Sequence, residues 1–231
     1  MIKVIEPKVN VVDFGPNLVL EDGTKITPDE FIYGAAGITY KDVGALNELI
    51  NLKKNDVDIG EKIKTSLIKS GGAGHASMAT TPGMWIFLEG NCSKLVDSIF
   101  TGARFASSLM PSGRRIPIAK DQIVVPKGIH ESGEHAEKIY VERIENCIDV
   151  YEQLQERKVP KQEASKIVPY GHRGGGLMFM PMETLISMSK YFESNSTAIP
   201  QEGREIVFQL EDFIHANGME VTYEARKAAP R

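Results

Sequence analysis

Apolar residues recur along this chain with two periods, and the changes between them locate its elements. From residue 2 to 26, short β-prone runs alternate with the turn signals Gly15-Pro16-Asn17 and Asp22-Gly23, which predicts a hairpin or small meander. Thr27-Pro28-Asp29-Glu30 then supplies a capping threonine, a first-turn proline and a glutamate three residues past the cap. A helix should start there and reach Tyr33 or Ala36. Two short helices follow. Val43, Leu46, Leu49 and Ile50 share a face of the first, and Ile63 and Leu67 lie one turn apart on the second, which should stop at Gly71-Gly72. Met84 to Leu88 is a continuous apolar run and reads as a buried strand with Trp85 in the core. Asn91 or Ser93 can cap the next helix, whose apolar face is Leu95, Val96, Ile99 and Phe100.

Prolines at 117 and 126 make Ile116-Pro117-Ile118 and Ile123 to Pro126 edge strands or irregular extended chain. Spacings of four and three through Ala136, Tyr140, Ile144, Cys147, Tyr151 and Leu154 predict one long helix from Ser132 to Arg157. Pro160, Pro181 and Pro200 mark first turns of later helices. The last of these places Ile206, Val207, Leu210, Phe213 and Ile214 on one face and stops at Asn217-Gly218. The fold class is α+β, a single helix-rich domain with a mixed or antiparallel sheet.

Composition narrows the function. With 231 residues, 42% of them hydrophobic, the chain can bury one large core. A formal charge of −4 gives no basic field for a nucleic-acid backbone, so no nucleic-acid partner is expected, while a small anionic ligand stays compatible. No apolar run approaches the ~20 residues that span a bilayer, so no membrane partner is expected. Cys92 and Cys147 fall in neither a C-x-x-C nor a Cys/His cluster, which indicates no disulfide framework, no zinc site and a cytoplasmic location. Cys147, on the helical stripe, reads as a packed thiol.

Candidate chemistry gathers in Thr101 to Arg114, T-G-A-R-F-A-S-S-L-M-P-S-G-R, where a helix gives way to a loop ending in Ser112-Gly113-Arg114. Arginine offers fixed donors, serine a short hydroxyl, and glycine close approach to backbone N–H groups, a mixture suited to an anion. An isolated Ser-Gly-Arg is more often a solvated helix end. Ser70 to Ser77 is a glycine-rich loop holding His75. It lacks a P-loop lysine and does not match G-x-G-x-x-G, so it is weak alone. Gly171-His172-Arg173-Gly174-Gly175-Gly176 is a second, basic glycine-rich segment that reads equally as a phosphate contact or a flexible loop.

Taken in order, Gly74-His75-Ala76-Ser77, a strand, and a helix ending T-x-x-R-x-A-S-x-x-x-x-S-G-R resemble the flavin-dependent thymidylate synthases. That family shows Gly-His-x-Ser/Thr beside its flavin and then an Arg-His-Arg-x-x-Ser-x-x-x-x-Ser-x-Arg signature. The resemblance sets Arg104 on the second arginine, Ser107 and Ser112 on the two serines and Arg114 on the last arginine. It extends through Val159-Pro160, Ala164 and Pro169, and implies a family core over 28–216, after a hairpin or meander at 1–26 and before a tail at 217–231. Gly102 and Ala103 stand where the first arginine and the histidine belong, Thr80-Thr81 where members carry Glu-His, and Ser165 and Phe192 where members carry arginines.

What the resemblance implies is reductive methylation of deoxyuridylate (dUMP) at C5, with carbon from methylenetetrahydrofolate and reducing equivalents from NADPH through FAD. His75, Ser77, Arg104 and Ser107 would border the flavin. Ser112, Gly113, Arg114, Lys166 and Arg173 would bind the nucleotide, with Ser112 and Arg114 at the reacting pyrimidine, and no metal is required. Ser112 positions rather than attacks, since no general base stands beside it in sequence. His75 and Arg114 should then meet at one cleft, and family members build such sites between subunits of a homotetramer. Two alternatives stay open: a homologue with altered pyrimidine-nucleotide specificity or chemistry, and a non-catalytic nucleotide-binding oligomer.

Overall fold

The computed structural model describes residues 3–39, 44–88, 92–111, 115–194 and 200–229. Val43, Asn91 and the Ser112-Gly113-Arg114 triplet lie outside the described residues. The chain opens with β1 (Lys3–Val4), β2 (Val9–Gly15), β3 (Leu18–Val19) and β4 (Lys25–Ile26). Helices α1 (Pro28–Ile38), α2 (Ala45–Lys54), α3 (Gly60–Gly72) and α4 (Ser77–Thr80) lead into β5 (Gly83–Leu88), α5 (Lys94–Thr101), β6 (Ser107–Leu109) and β7 (Val124–Val125). After α6 (Lys127–Glu131), α7 (Glu134–Glu156) and α8 (Lys161–Ala164) come β8 (Gly176–Pro181), α9 (Met182–Ser194), α10 (Gln201–Ala216) and α11 (Glu220–Ala228). Four strands form one sheet in the order β2-β5-β8-β6. β3 and β4 pair antiparallel, and β1 and β7 pair parallel. The fold is α+β and helix-rich with a mixed sheet content.

By its internal contacts the chain falls into two units. The first takes Met1–Asn10, Phe87–Met178 and Thr197–Ile206; the second takes Val11–Ile86, Phe179–Ser196 and Val207–Arg231. In the first unit, Val141, Ile144, Ile148 and Tyr151 of α7 are buried and pack with Ile118, Ile123, Val125 and Ala164. The apolar stripe thus runs through Ile148, whereas Cys147 is only half-buried. The long helix expected over 132–157 forms as α7, and the short α6, which the sequence reading did not foresee, precedes it across Gly133, whose φ of 99° a side chain would resist.

In the second unit, Ile26, Ile32, Leu49, Ile63, Leu67 and Met78 form the core. The capping box forms as its sequence predicts: Glu30 N–H donates to Thr27 Oγ1 at 3.3 Å and Thr27 N–H to Glu30 Oε2 at 2.9 Å. The helix runs on to Ile38, beyond the expected end. Asp29 is buried in its first turn and accepts N–H bonds from Val221 and Thr222, both at 2.9 Å, at the start of α11. Burial raises the Asp29 carboxyl above its ordinary 3.8, against the lowering effect of these bonds.

Several expectations change. β1 pairs with β7 instead of joining the N-terminal meander, while Ile116 to Ile118 take the irregular form, one of the two expected, with Ile118 buried. Trp85 is 39% exposed, because β5 alternates and turns Met84, Ile86 and Leu88 inward. The basic glycine-rich segment runs into a strand, β8, and Pro181 ends that strand immediately before α9, so the helix expected at this proline starts one residue later. Residues 220–228, placed in a tail, form α11.

Candidate functional site

A pocket of about 740 Å³ in the first unit gathers the basic residues of two distant segments. Lys94, at the start of α5, Lys166, just after α8, and His172 and Arg173, before β8, line it together with Gln122. Pro111 and Ile116, on either side of Ser112-Gly113-Arg114, line it too. Lys166 Nζ lies 2.5 Å from Glu163 Oε2 on the exposed rim. Arg173 is exposed, and its backbone N–H donates to the Gln122 carbonyl at 2.7 Å. Lys94 is paired with Asp97 and Lys166 with Glu163, so the lining carries both signs of charge, and its cations can receive an anion.

Backbone bonds hold the loop from Tyr170 to Gly175 onto the start of α5. Lys94 N–H donates to the carbonyls of Tyr170 (3.1 Å) and His172 (2.8 Å), and Gly174 N–H to that of Cys92 (2.7 Å). A Cβ at Gly174 would stand 2.5 Å from Ser93 O and 2.6 Å from Asp97 Oδ1, so only glycine fits. The Asp97 carboxylate, 2% exposed, accepts Gly175 N–H at 2.6 Å through Oδ1 and holds Lys94 Nζ at 2.6 Å through Oδ2. Lys94 Nζ also donates to Pro111 O at 3.2 Å.

Ser93 has the extended backbone of an N-cap, yet its hydroxyl does not cap α5. Its Oγ donates to Glu202 Oε1 at 2.5 Å and its N–H to Glu202 Oε2 at 2.8 Å. Burial raises Glu202 above its ordinary 4.5, against these bonds, and Asp97 adds to the effect. Burial, with the charges of Asp97 and Glu202, pushes the Cys92 thiol up to about 12, which makes it inert at neutral pH. Burial also lowers His172 below 6.5; its Nδ1 lies 2.9 Å from Pro169 O, and Lys94 works in the same direction as burial. The imidazole is therefore neutral at pH 7, and the fixed charge of the pocket comes from Lys94, Lys166 and Arg173.

His75 and Ser77 share a different pocket, of about 470 Å³, in the second unit. Ile32, Ala35, Ala36 and Met78 give it an apolar wall, and the hydroxyls of Ser70, Ser77, Thr39 and Thr81 join the His75 ring as polar groups. Thr39 and Thr81 spend their protons on the carbonyls of Ala36 (2.7 Å) and Ser77 (3.0 Å), so both face the pocket chiefly as acceptors. Among the described residues no lysine or arginine lines it. Such a lining suits a flat, polar-edged ring.

The structure thus brings Lys166 together with Arg173, and His75 with Ser77, in separate pockets. Arg104 and Ser107 are exposed in the first unit and line neither pocket. Ser112, Gly113 and Arg114 lie outside the described residues, so the expected meeting of His75 and Arg114 does too. Phe192, where members carry an arginine, is buried. Sequence reasoning missed Lys94 and Asp97. The available signal was a lysine in the first turn of a helix, which works against the macrodipole and needs a local reason.

The sequence profile described as Thymidylate synthase complementing protein matches residues 23–206. No curated protein matches the chain. Among solved structures, it is similar to the UMP/dUMP methylase PolB from Streptomyces cacaoi, bound with 5-Br dUMP. The TM-score is 0.72 at 14% identity, with 99% of this chain and 98% of that one covered. At that identity the likeness speaks for the fold.

Proposed function

The chain belongs to the family of thymidylate synthase complementing proteins, the flavin-dependent thymidylate synthases, and we propose that it methylates the pyrimidine of a nucleotide, deoxyuridylate, at C5. The observation that carries this reading is the pocket in which Lys94, Lys166 and Arg173 converge beside Pro111 and Ile116. These three cations hold the phosphate. Arg173 supplies a planar donor pair and the lysines supply point charges. Ser112, Gly113 and Arg114 follow Pro111 in sequence and, by family resemblance, bind the nucleotide. The methylase activity of the structural relative on UMP and dUMP is consistent with such a ligand.

The chemistry needs a carbon donor and a reductant, for which the family uses methylenetetrahydrofolate and NADPH. FAD, when bound, supplies the hydride transfer that side chains cannot perform. The pocket of His75 and Ser77 fits the uncharged part of that cofactor, a ring with donors and acceptors at its edge over an apolar wall. Its lack of a lysine or arginine among the described residues leaves the diphosphate to other groups, of which Arg104 and Ser107 are the candidates named by resemblance. Gly102 and Ala103 remove a cation and an imidazole from the signature, so flavin affinity should be weaker than the intact signature gives. The protein acts as a homotetramer with sites completed between subunits.

The test is spectroscopic. The purified protein is titrated with FAD, reduced with NADPH, and mixed with deoxyuridylate and methylenetetrahydrofolate. Bound-flavin bands that bleach and then return only when both substrates are present, with thymidylate formed, support the reading. Failure to bind flavin at saturating FAD while nucleotide binding persists would sink the catalytic part of it.

A further inference from the structure

Lys94 of the anion pocket does not stand alone, and its support has a particular geometry. One Asp97 oxygen holds the N–H of Gly175, which follows the segment carrying His172 and Arg173. The other holds Lys94 Nζ, which in turn donates to the carbonyl of Pro111, the residue before the Ser112-Gly113-Arg114 triplet. A single carboxylate, buried to 2% exposure, therefore ties together two segments of the pocket that are distant in sequence. We infer that Asp97 is a positioning residue for nucleotide binding: it sets the Lys94 ammonium and the 172–175 loop in the arrangement that receives the phosphate.

Three physical points support this. A cation in the first turn of α5 opposes the helix macrodipole, so helix stability does not explain Lys94. An ammonium has three donors, and among the described residues Asp97 and Pro111 take two, which leaves one for a ligand in the pocket that Lys94 lines. Burying a carboxylate is costly unless it is paired and hydrogen-bonded, and both Asp97 oxygens are engaged on pocket elements and not on the core.

The inference rests on the nucleotide reading proposed above, and the experiment separates the two. Affinities for deoxyuridylate and for the uncharged nucleoside deoxyuridine are measured by calorimetry on the unsubstituted protein, on Asp97→Asn and on Lys94→Met. Asn keeps an oxygen for Gly175 but gives up the charge that holds Lys94. A loss of roughly tenfold or more for deoxyuridylate in both variants, with deoxyuridine unchanged, is expected. The Gly175 amide proton resonance should also move upfield in Asp97→Asn as its acceptor loses charge. Equal losses for both ligands, or unchanged deoxyuridylate affinity in Asp97→Asn, would overturn the inference, because a merely structural carboxylate would not discriminate a phosphate. If Asp97→Asn does not fold, Lys94→Met decides by the same comparison. Absence of deoxyuridylate binding to the unsubstituted protein would overturn the nucleotide reading itself, and the positioning role with it.

Discussion

His172 makes the anion pocket sensitive to acid. Its imidazole is held below 6.5 by burial and by Lys94, with Lys166 and Arg173 lining the same pocket and Asp97 opposing the effect. As pH falls below 6.5 towards that lowered value, the ring gains a proton and adds a cation to the pocket. Sulfate, which does not titrate in this range, should bind about fivefold more tightly across that interval, and His172→Gln should abolish the rise; calorimetry at several pH values reads both. Without an anion the linkage runs the other way. A depressed histidine contributes stability that is present above 6.5 and lost as pH falls. A second residue-scale expectation concerns Cys92, whose thiol is pushed up to about 12. It should remain unlabelled by a thiol reagent at pH 8 in the folded protein and react once urea unfolds it.

At the scale of elements, the crossing of α3 and α11 depends on a missing side chain. A Cβ at Gly71 would lie 2.6 Å from the Ala225 Cβ and 3.0 Å from its backbone carbon, so Gly71→Ala should destabilise the protein by ~1–3 kcal/mol in urea unfolding. Elements written in local chemistry were legible in the sequence. The Thr27 and Glu30 box starts α1 because cap and acid sit three residues apart, and no distant partner is needed. Elements decided by distant partners were not. β8 has methionines where strands favour branched residues, and its glycine-rich approach reads as loop. α11 is rich in charge and buries only Thr222, Tyr223 and Ala225, and its first turn is capped by Asp29, 192 residues away from Val221. Trp85 was misplaced because a run of apolar residues hides whether a strand is covered on one face or two. In the candidate site, Lys166 and Arg173 were legible as cations near a family motif. Asp97 and Lys94 became visible only when the fold returned the 172–175 loop to α5.

For the molecule as a whole, acid stability should depend on Glu211 of α10. Burial alone would raise its carboxyl, but bonds from Lys227, Tyr223 and Ser189 outweigh burial and lower it below 4.5. Lys227 Nζ lies at 2.8 Å and Ser189 Oγ at 2.7 Å, so one carboxylate joins α9, α10 and α11. A lowered carboxyl contributes stability that is present above 4.5 and lost as pH falls through the folded value. Glu211→Gln should cost ~1–3 kcal/mol at pH 7 and flatten the acid limb of a melting-temperature profile. Gel filtration with light scattering should give four times the chain mass if the homotetramer forms.

The bare backbone at Gly174 has a consequence for redesign. Any side chain there would push the loop off α5 and take the Gly175 amide from Asp97. His172 and Arg173, two and one residues earlier, and Lys166 line the pocket and meet no such barrier. A mutational library aimed at a different anionic ligand should therefore vary positions 166, 172 and 173 and keep position 174 invariant, since changes there would erase the receptor instead of retuning it.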